Sequence, residues 1–163
     1  MSVAASPLPA AALRAAMGHF ATGVTVVTVA GRELTGSTVN AITSVSLDPP
    51  LLLVCLRDDS RTLACLLETG RFGVNVLHED QGALAQRFAK RGTGFEEVGF
   101  SDGANTGAPL LHGALATLEC AVHDVADGGD HRIVVGRVLA VDHPEDHAPP
   151  LIFYRGAFAR LGQ

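Results

Sequence analysis

The chain has few of the residues on which several large functional classes depend. It contains no tryptophan, one tyrosine and seven phenylalanines, and only 18% of its 163 residues are charged. Proteins that bind single-stranded nucleic acid interleave aromatic residues with arginine and lysine, and duplex binders carry a basic surface. The formal net charge here is −5, which together with the scarce aromatic residues argues against a nucleic-acid partner.

The chain also lacks a disulfide pattern and any long apolar run. Its three cysteines form no Cys-x-x-Cys pair, and an odd number of isolated cysteines is typical of free thiols in a reducing cytoplasm. No apolar run is long enough to span a bilayer, and residues 1–9 have neither the charged nor the apolar region of a signal peptide. We therefore expect a cytoplasmic protein without membrane association, with a disordered leader over residues 1–8 and one domain over 9–163.

Several catalytic signatures are absent as well. The seven histidines are scattered, without a His-Glu-x-x-His motif or a Cys/His spacing typical of metal sites. No glycine-rich phosphate loop follows a predicted strand, and no Gly-x-Ser-x-Gly motif is present. The sequence therefore predicts no metal site and gives no indication of a Rossmann, P-loop or α/β-hydrolase enzyme.

What the chain does have is a large apolar fraction arranged in many short runs. Hydrophobic residues make up 47% of it and the mean hydropathy is +0.27, which without a membrane span indicates a buried subunit interface. Apolar runs between turn residues predict strands at 24–29, 33–39, 41–47, 51–56, 72–77, 115–125, 133–141, 151–154 and 157–161. Cap residues predict helices at 9–18, 61–68 and 81–90, the last capped by Asp80, and a long loop over 91–107. This pattern is typical of a mainly β fold, a β-barrel with helical additions.

A polar run, Ser37–Asn40, lies beside two apolar runs that are separated by Asp48-Pro49-Pro50. The prolines fix φ and donate no N–H, so the chain must turn there. Hydroxyl and amide side chains at the start of an apolar strand offer hydrogen bonds to a flat polar ligand, such as the heterocycle of a flavin. The alternative is an ordinary sheet edge at which Ser and Thr only satisfy β propensity.

Two further segments are candidates for ligand contacts. Asp59-Ser60-Arg61-Thr62 begins a predicted helix, where N–H groups, hydroxyls and a guanidinium suit a phosphate; the alternative is a plain helix cap. Gly129-Asp130-His131 precedes a predicted strand, where a histidine can bind a ligand or donate a proton; the alternative is a solvent-exposed turn histidine. Cys55, on a predicted buried strand, is expected to be an unreactive core thiol.

Six segments in chain order resemble the short-chain flavin reductase family and together cover the chain from about Met17 onward. They are Phe20–Thr28, Thr38–Leu51, Phe72–Leu77, the Gln81–Ala89 helix, Gly129–Val138 and Pro150–Gly156. The resemblance implies an FMN-binding split β-barrel, a homodimer, and the reductase component of a two-component flavin-dependent monooxygenase. In such a protein NADH, less often NADPH, reduces FMN or FAD, which then diffuses to the partner oxygenase.

The resemblance also assigns roles to residues. It implies that Thr38–Asn40 contact the isoalloxazine and ribityl groups, that Ser60–Thr62 hold the flavin phosphate, and that Gly129–His131 is the nicotinamide-side motif. The full set expected to bind cofactors is Ser37, Thr38, Val39, Asn40, Ala41, Cys55, Leu56, Ser60, Arg61, Thr62, Asp130, His131, Tyr154 and Arg155. Ala41 and Ile42 depart from the serine and the aromatic residue that the family often has there, which affects one hydroxyl contact and one apolar wall.

The expected reaction is hydride transfer from the nicotinamide to the flavin, with His131 as the catalytic residue that orients the nicotinamide or pyrophosphate and supplies a proton. Two alternatives stay open. One is a non-catalytic split-barrel protein that binds flavin or haem, and the other is a dimeric barrel with no ligand. Gly129–His131 favours the enzyme, because a passive flavin binder needs no nicotinamide site.

Overall fold

The computed structural model describes residues 7–92, 94–145 and 148–162; most of the predicted leader, residues 1–6, lies outside this part. The helices are α1 (Ala10–Met17), α2 (Arg61–Thr69) and α3 (Gly82–Ala89), and a 3-10 turn spans Glu79–Gln81. The strands are β1 (Thr22–Gly23), β2 (Thr25–Ala30), β3 (Leu34–Val39), β4 (Ile42–Leu47), β5 (Pro50–Arg57), β6 (Arg71–Val76), β7 (Phe100–Asp102), β8 (Pro109–Leu111), β9 (Ala116–Asp127), β10 (His131–Asp142), β11 (Ile152–Tyr154) and β12 (Ala157–Ala159). Within these described ranges, no helix has the length and apolar character needed to cross a membrane.

Seven of the strands form one antiparallel sheet in the order β3-β2-β6-β9-β10-β5-β4. Its two edge strands, β3 and β4, follow each other in the chain and are joined only by Asn40 and Ala41. Because so short a connection joins opposite edges, the sheet must curl, and β3 lies against β5. No ladder among the described strands closes this seam. The fold is therefore a split β-barrel with helical additions, which confirms the predicted fold class.

Two apolar clusters hold the sheet and its helices together. The cluster beneath α2 consists of Val27, Val29, Val39, Leu52, Val54, Leu56, Leu63, Leu66, Phe72, Val74, Cys120 and Val134. The cluster beneath α3 consists of Val24, Val26, Leu77, Ala85, Phe88, Leu111 and Leu151. Strand β2 contributes to both clusters, which explains why its first five residues are all buried instead of alternating as in a sheet with one solvated face.

The two helices that flank β3 begin differently from each other. Helix α2 begins at the predicted residue, because Ser60 Oγ accepts the Leu63 N–H at 3.3 Å. It ends one residue later than predicted, at Thr69, where Gly70 follows with φ of 67°, a conformation that favours glycine. For α3 the predicted Asp80 cap is wrong. His78 caps the preceding 3-10 turn, since its Nδ1 accepts the Asp80 N–H at 3.1 Å. Helix α3 begins after that turn at Gly82, with Gln81 as its N-cap residue and no side-chain cap hydrogen bond.

Long-range pairing orders segments for which the sequence offers only weak local signals. Strand β7 lies inside the predicted loop 91–107 and pairs with β8, so this part of the loop prediction is wrong. Strand β1, which is too short to leave a pattern, pairs with β11 in a three-stranded sheet with β12. The predicted turn at Arg155-Gly156 is confirmed, with φ of 50° and 80° at the two residues, as in a type I′ hairpin turn.

Candidate functional site

A cavity of about 430 Å³ opens at the seam of the barrel, between β3 and the end of β5. It lies between the first turn of α2 and the last turn of α3, and His131 at the start of β10 closes one side. Of the residues predicted from the sequence, those that line it are Ser37, Thr38, Val39, Asn40, Ala41, Cys55, Leu56, Ser60, Arg61, Thr62 and His131. The structure therefore brings together three segments that are far apart in the sequence.

Strand β3 presents its backbone to this cavity. It pairs with β2 along one edge, and no described strand pairs with its other edge. One face of β3 packs against α2 through Ser37, and the other packs against α3 through Thr38. An edge strand offers a row of N–H and C=O groups without ladder partners. Because α2 and α3 already cover the two side-chain faces of β3, its backbone edge is the part that remains available to a ligand. The N–H and C=O groups along this edge can pair with the alternating donors and acceptors of a flat heterocycle.

The side chains of Thr38 and Asn40 serve mainly to hold the cavity wall. Thr38 Oγ1 donates to the Ala85 carbonyl at 2.6 Å and so joins β3 to α3. The Asn40 amide donates to Thr22 Oγ1 at 3.3 Å and so joins the seam to β1. Because these donors are engaged within the protein, the backbone of this segment is better placed for ligand contacts than its side chains.

Three hydroxyls meet at the first turn of α2. Ser37 Oγ donates to Thr62 Oγ1 at 2.8 Å and lies 3.4 Å from Ser60 Oγ. Thr62 is buried, whereas Ser60 is half-buried and caps the helix. The positive end of a helix dipole favours an anion. This turn is therefore the part of the cavity that suits a phosphate, and the role expected of Ser60–Thr62 stays a prediction.

The rim of the cavity is more basic than the sequence indicated. Arg57, Lys90 and Arg91 line it together with the predicted Arg61. Arg61 Nη2 donates to Glu33 Oε2 at 2.5 Å, and Arg57 and Arg91 both donate to Asp59. Sequence reasoning missed Arg57, Lys90 and Arg91. The signal that could have found them is the Lys90-Arg91-Gly92 run, in which two cations end a helix just before a glycine-rich loop.

His131 lies at the cavity mouth and is oriented by Asp130. It is the first residue of β10, directly across the ladder from Arg57, and its Nδ1 lies 2.7 Å from Asp130 Oδ1. A carboxylate accepts only from an N–H, so Nδ1 carries the proton and Nε2 is left to contact a ligand. The hydrogen bond to His131, followed by its charge, holds the pKa of Asp130 below its usual value.

Three predicted residues lie outside the cavity lining. Asp130 reaches the site only through His131. Tyr154 and Arg155 do not line the cavity within the single chain, because their hairpin packs beside β1 and the Arg155 N–H donates to the Gly18 carbonyl; their expected contact with a cofactor stays a prediction. That segment was assigned from the family resemblance, and no pattern in the residues themselves indicated where the hairpin would pack.

Cys55 lines the cavity without the character of a nucleophile. Burial raises the pKa of its thiol, so the thiol is protonated near neutral pH. The described residues contain no group of three or more His, Cys, Asp or Glu side chains placed to hold a metal ion. What the site offers instead is a backbone edge, a helix N-terminus, arginines and an oriented imidazole.

Comparison with known proteins identifies the family. The family model for the flavin reductase like domain matches residues 17–162. An NADH-dependent FAD reductase of Streptomyces globisporus is 45% identical over 155 residues, which cover 91% of this chain and 84% of that protein. The reductase component of a 4-nitrophenol 4-monooxygenase/4-nitrocatechol 2-monooxygenase of Rhodococcus opacus is 41% identical over 157 residues, which cover 95% and 83%.

A solved structure shares the fold over nearly the whole chain. It is the Streptomyces globisporus NADH:FAD oxidoreductase in complex with NAD and FAD fragments. This chain matches it with a TM-score of 0.92 and 40% identity, covering 99% of this chain and 98% of that one. The protein described here belongs to the family of the flavin reductase like domain.

Proposed function

We propose that this protein is an NADH-dependent flavin reductase that binds FMN or FAD in the seam cavity and supplies reduced flavin to a partner monooxygenase. The observation that carries the proposal is the cavity itself, in which the free edge of β3 faces the first turn of α2 and His131 stands at the mouth. The names of the relatives support it, since they are reductases that use NADH or serve monooxygenases.

The residues present fit a flavin. The cavity volume lies in the range of ordinary cofactor sites. The backbone of residues 37–41 would hold the polar edge of the ring, and the first turn of α2, with Ser60 and Arg61, would hold the phosphate. Bound flavin and NADH together supply the chemistry, in which a hydride passes from the reduced nicotinamide to the flavin. The contribution of the protein is to align the two rings and exclude water.

His131 is the residue that we assign to the nicotinamide side. Asp130 fixes the proton on Nδ1, so Nε2 is the ring nitrogen that is left to contact a ligand. In this position the imidazole orients the nicotinamide or its pyrophosphate, and it can hold a proton near the reacting rings. No nucleophile is required, in agreement with the protonated thiol of Cys55.

A two-step measurement tests the function. Purified protein is titrated with FMN and FAD by absorbance and fluorescence, and the oxidation of NADH or NADPH is then followed in the presence of each flavin. A reductase binds flavin and oxidises NADH. Flavin binding without NADH oxidation would favour the passive flavin-binding alternative, and a haem spectrum would favour the haem-binding one. The absence of flavin binding would contradict both the reductase and the passive flavin binder.

The assembly and the location of the protein are also proposals. A homodimer is supported by apolar side chains that the single chain leaves exposed, among them Phe20, Leu47 and Val141. A cytoplasmic location is supported by the three cysteines, all of which are free thiols. Light scattering of the purified protein tests the homodimer, and a mass in solution equal to that of one chain would contradict it.

A further inference from the structure

One carboxylate holds two of the cations at the cavity. Asp59 Oδ1 accepts from Arg57 Nε at 3.1 Å and Oδ2 accepts from Arg57 Nη2 at 3.2 Å, which is a two-point contact with one guanidinium. The same Oδ2 also accepts from Arg91 Nη2. All three residues line the cavity. The guanidinium N–H groups that face Asp59 are of the kind that bind phosphate oxygens in pairs.

The position of Asp59 places it at the entrance to the phosphate end of the cavity. It directly precedes Ser60, the cap of α2, while Arg91 lies two residues beyond the end of α3. The ion pair between Asp59 and Arg91 therefore spans the two helices that flank the cavity. About half of the Asp59 side chain is exposed and Arg91 is more exposed still, so solvent and ions reach the pair.

Asp59 is also unusual in its charge. Among the described residues that line the cavity it is the one acidic side chain, against the cations Arg57, Arg61, Lys90 and Arg91. Glu33 and Asp130, which pair with Arg61 and His131, lie outside the lining. Hydrogen bonds from Arg57 and then Arg91 hold the pKa of Asp59 below its usual value. The carboxylate is therefore ionised throughout the neutral range.

We propose that Asp59 is a specificity-determining residue that competes with the flavin phosphate for Arg57 and Arg91. The inference rests on the proposed function, in which the flavin phosphate lies at the first turn of α2. A phosphate that enters the cavity must share the two guanidiniums with the Asp59 carboxylate or displace it from them. The affinity for phosphorylated flavins is therefore lower than it would be if the four cations of the rim faced no carboxylate. A low affinity for the flavin phosphate suits an enzyme that must release its reduced flavin to a partner monooxygenase.

The test compares Asp59→Asn with the unchanged protein. The substitution keeps the shape of the side chain and removes its charge. Dissociation constants are measured by fluorescence titration for FMN and for riboflavin, which has the same ring and no phosphate. We expect FMN to bind roughly fivefold more tightly to the variant at low salt, with a slower dissociation rate. We expect riboflavin to bind equally to both proteins, and the effect on FMN to shrink as salt is raised.

Asp58→Asn provides a matched control. Asp58 is the neighbouring residue, carries the same charge and lies outside the cavity lining, where its Oδ1 accepts from Arg132 Nε at 2.9 Å. Its substitution changes the net charge equally and is expected to leave the FMN affinity unchanged. Circular dichroism of both variants verifies that they are folded.

The outcomes separate this inference from the proposed function. Weaker FMN binding by Asp59→Asn would mean that Asp59 holds the arginines ready for phosphate, and would overturn the inference. An unchanged FMN affinity, an equal shift for riboflavin, or an equal shift in Asp58→Asn would overturn it too. In each of these cases the unchanged protein still binds flavin and oxidises NADH. If it does neither, the proposed function fails and the inference fails with it.

Discussion

Glu119 and Asp59 show how differently one chemical group serves two regions of this molecule. Glu119 is buried, and its carboxylate accepts from the Asn105 and Thr106 N–H groups at 2.8 Å and from both of their side chains. Asp59 is half-exposed, and among the described residues its carboxylate is bonded to the guanidinium groups of two long, exposed side chains. A buried, fully bonded carboxylate stabilises the fold, whereas an exposed ion pair contributes little to stability and is available for exchange with another anion.

The largest expected effect is the loss of the buried carboxylate. Glu119→Ala removes the acceptor for the N–H groups of Asn105 and Thr106 and leaves a gap where the buried carboxylate stood. We expect the free energy of unfolding to fall by about 3 kcal/mol, measured by urea denaturation. Asp59→Ala serves as the comparison and should leave the unfolding midpoint nearly unchanged. A similar loss for both variants would remove the distinction between the two regions.

The next effect concerns the chemistry at the cavity mouth. His131→Ala should lower the rate of flavin reduction by NADH about thirtyfold, less than full acid–base catalysis would contribute, because hydride transfer itself needs no side chain. The dissociation constant for flavin should change by no more than about twofold, since we assign the flavin contacts to the β3 backbone and the first turn of α2 and assign His131 to the nicotinamide side. Stopped-flow reduction and flavin titration measure the two quantities.

His143→Ala is the control for that substitution. His143 is exposed and lies outside the cavity lining, so its removal should change neither quantity. An unchanged reduction rate in His131→Ala would contradict the role that we propose for His131. A large loss of flavin affinity without a loss of rate would instead place His131 on the flavin.

A smaller effect is expected in the pH dependence of the stability that the buried carboxylate of Glu119 contributes. Burial opposes the ionisation of Glu119, but the hydrogen bonds from Asn105 and Thr106 outweigh it, so the pKa lies below its usual value. A lowered folded-state pKa stabilises the protein above the unfolded pKa of an ordinary glutamate, and this contribution is lost as the pH falls through the folded pKa. We therefore expect part of the stability that Glu119 contributes at neutral pH to be lost in the acid range.

Glu119→Gln tests that dependence, because it keeps an oxygen acceptor and cannot ionise. Urea denaturation of both proteins from neutral pH downward should show a stability difference that narrows in the acid range. A difference that stays constant with pH would mean that the hydrogen bonds, and not the charge, account for the contribution of Glu119.

The same comparison explains how much of the molecule the sequence could predict. Segments with local signals were found, as with α2, whose Ser60 cap and Gly70 terminus lie within a few residues of the helix. The order around Glu119 depends on a partner more than ten residues away, and no local pattern predicts it. The clustering of Arg57 with Arg91 likewise requires the strand order, since 34 positions separate them in the sequence.

The segments that line the cavity could be singled out in the sequence for a related reason. Ser37–Asn40 and Ser60–Thr62 carry hydroxyls at the ends of regular elements, which leaves a visible pattern. That they meet follows from the curl of the sheet, which joins β3 to the end of β5. The sequence did not indicate that the Thr38 and Asn40 side chains would bond within the protein, because a hydroxyl that holds α3 and one that binds a ligand look the same in a sequence.

The smallest effect that we expect lies with Asp130, which acts through His131. Asp130→Ala removes the acceptor that fixes the Nδ1 proton, and the reduction rate at saturating NADH should fall about fivefold, the size expected for one exposed hydrogen bond. Asp130→Asn keeps an acceptor oxygen and should recover most of the rate. Asp127→Ala, near the same turn but paired with Arg132, is the control. If the Asn and Ala variants were equally slow, the charge of Asp130 and not its hydrogen bond would orient His131.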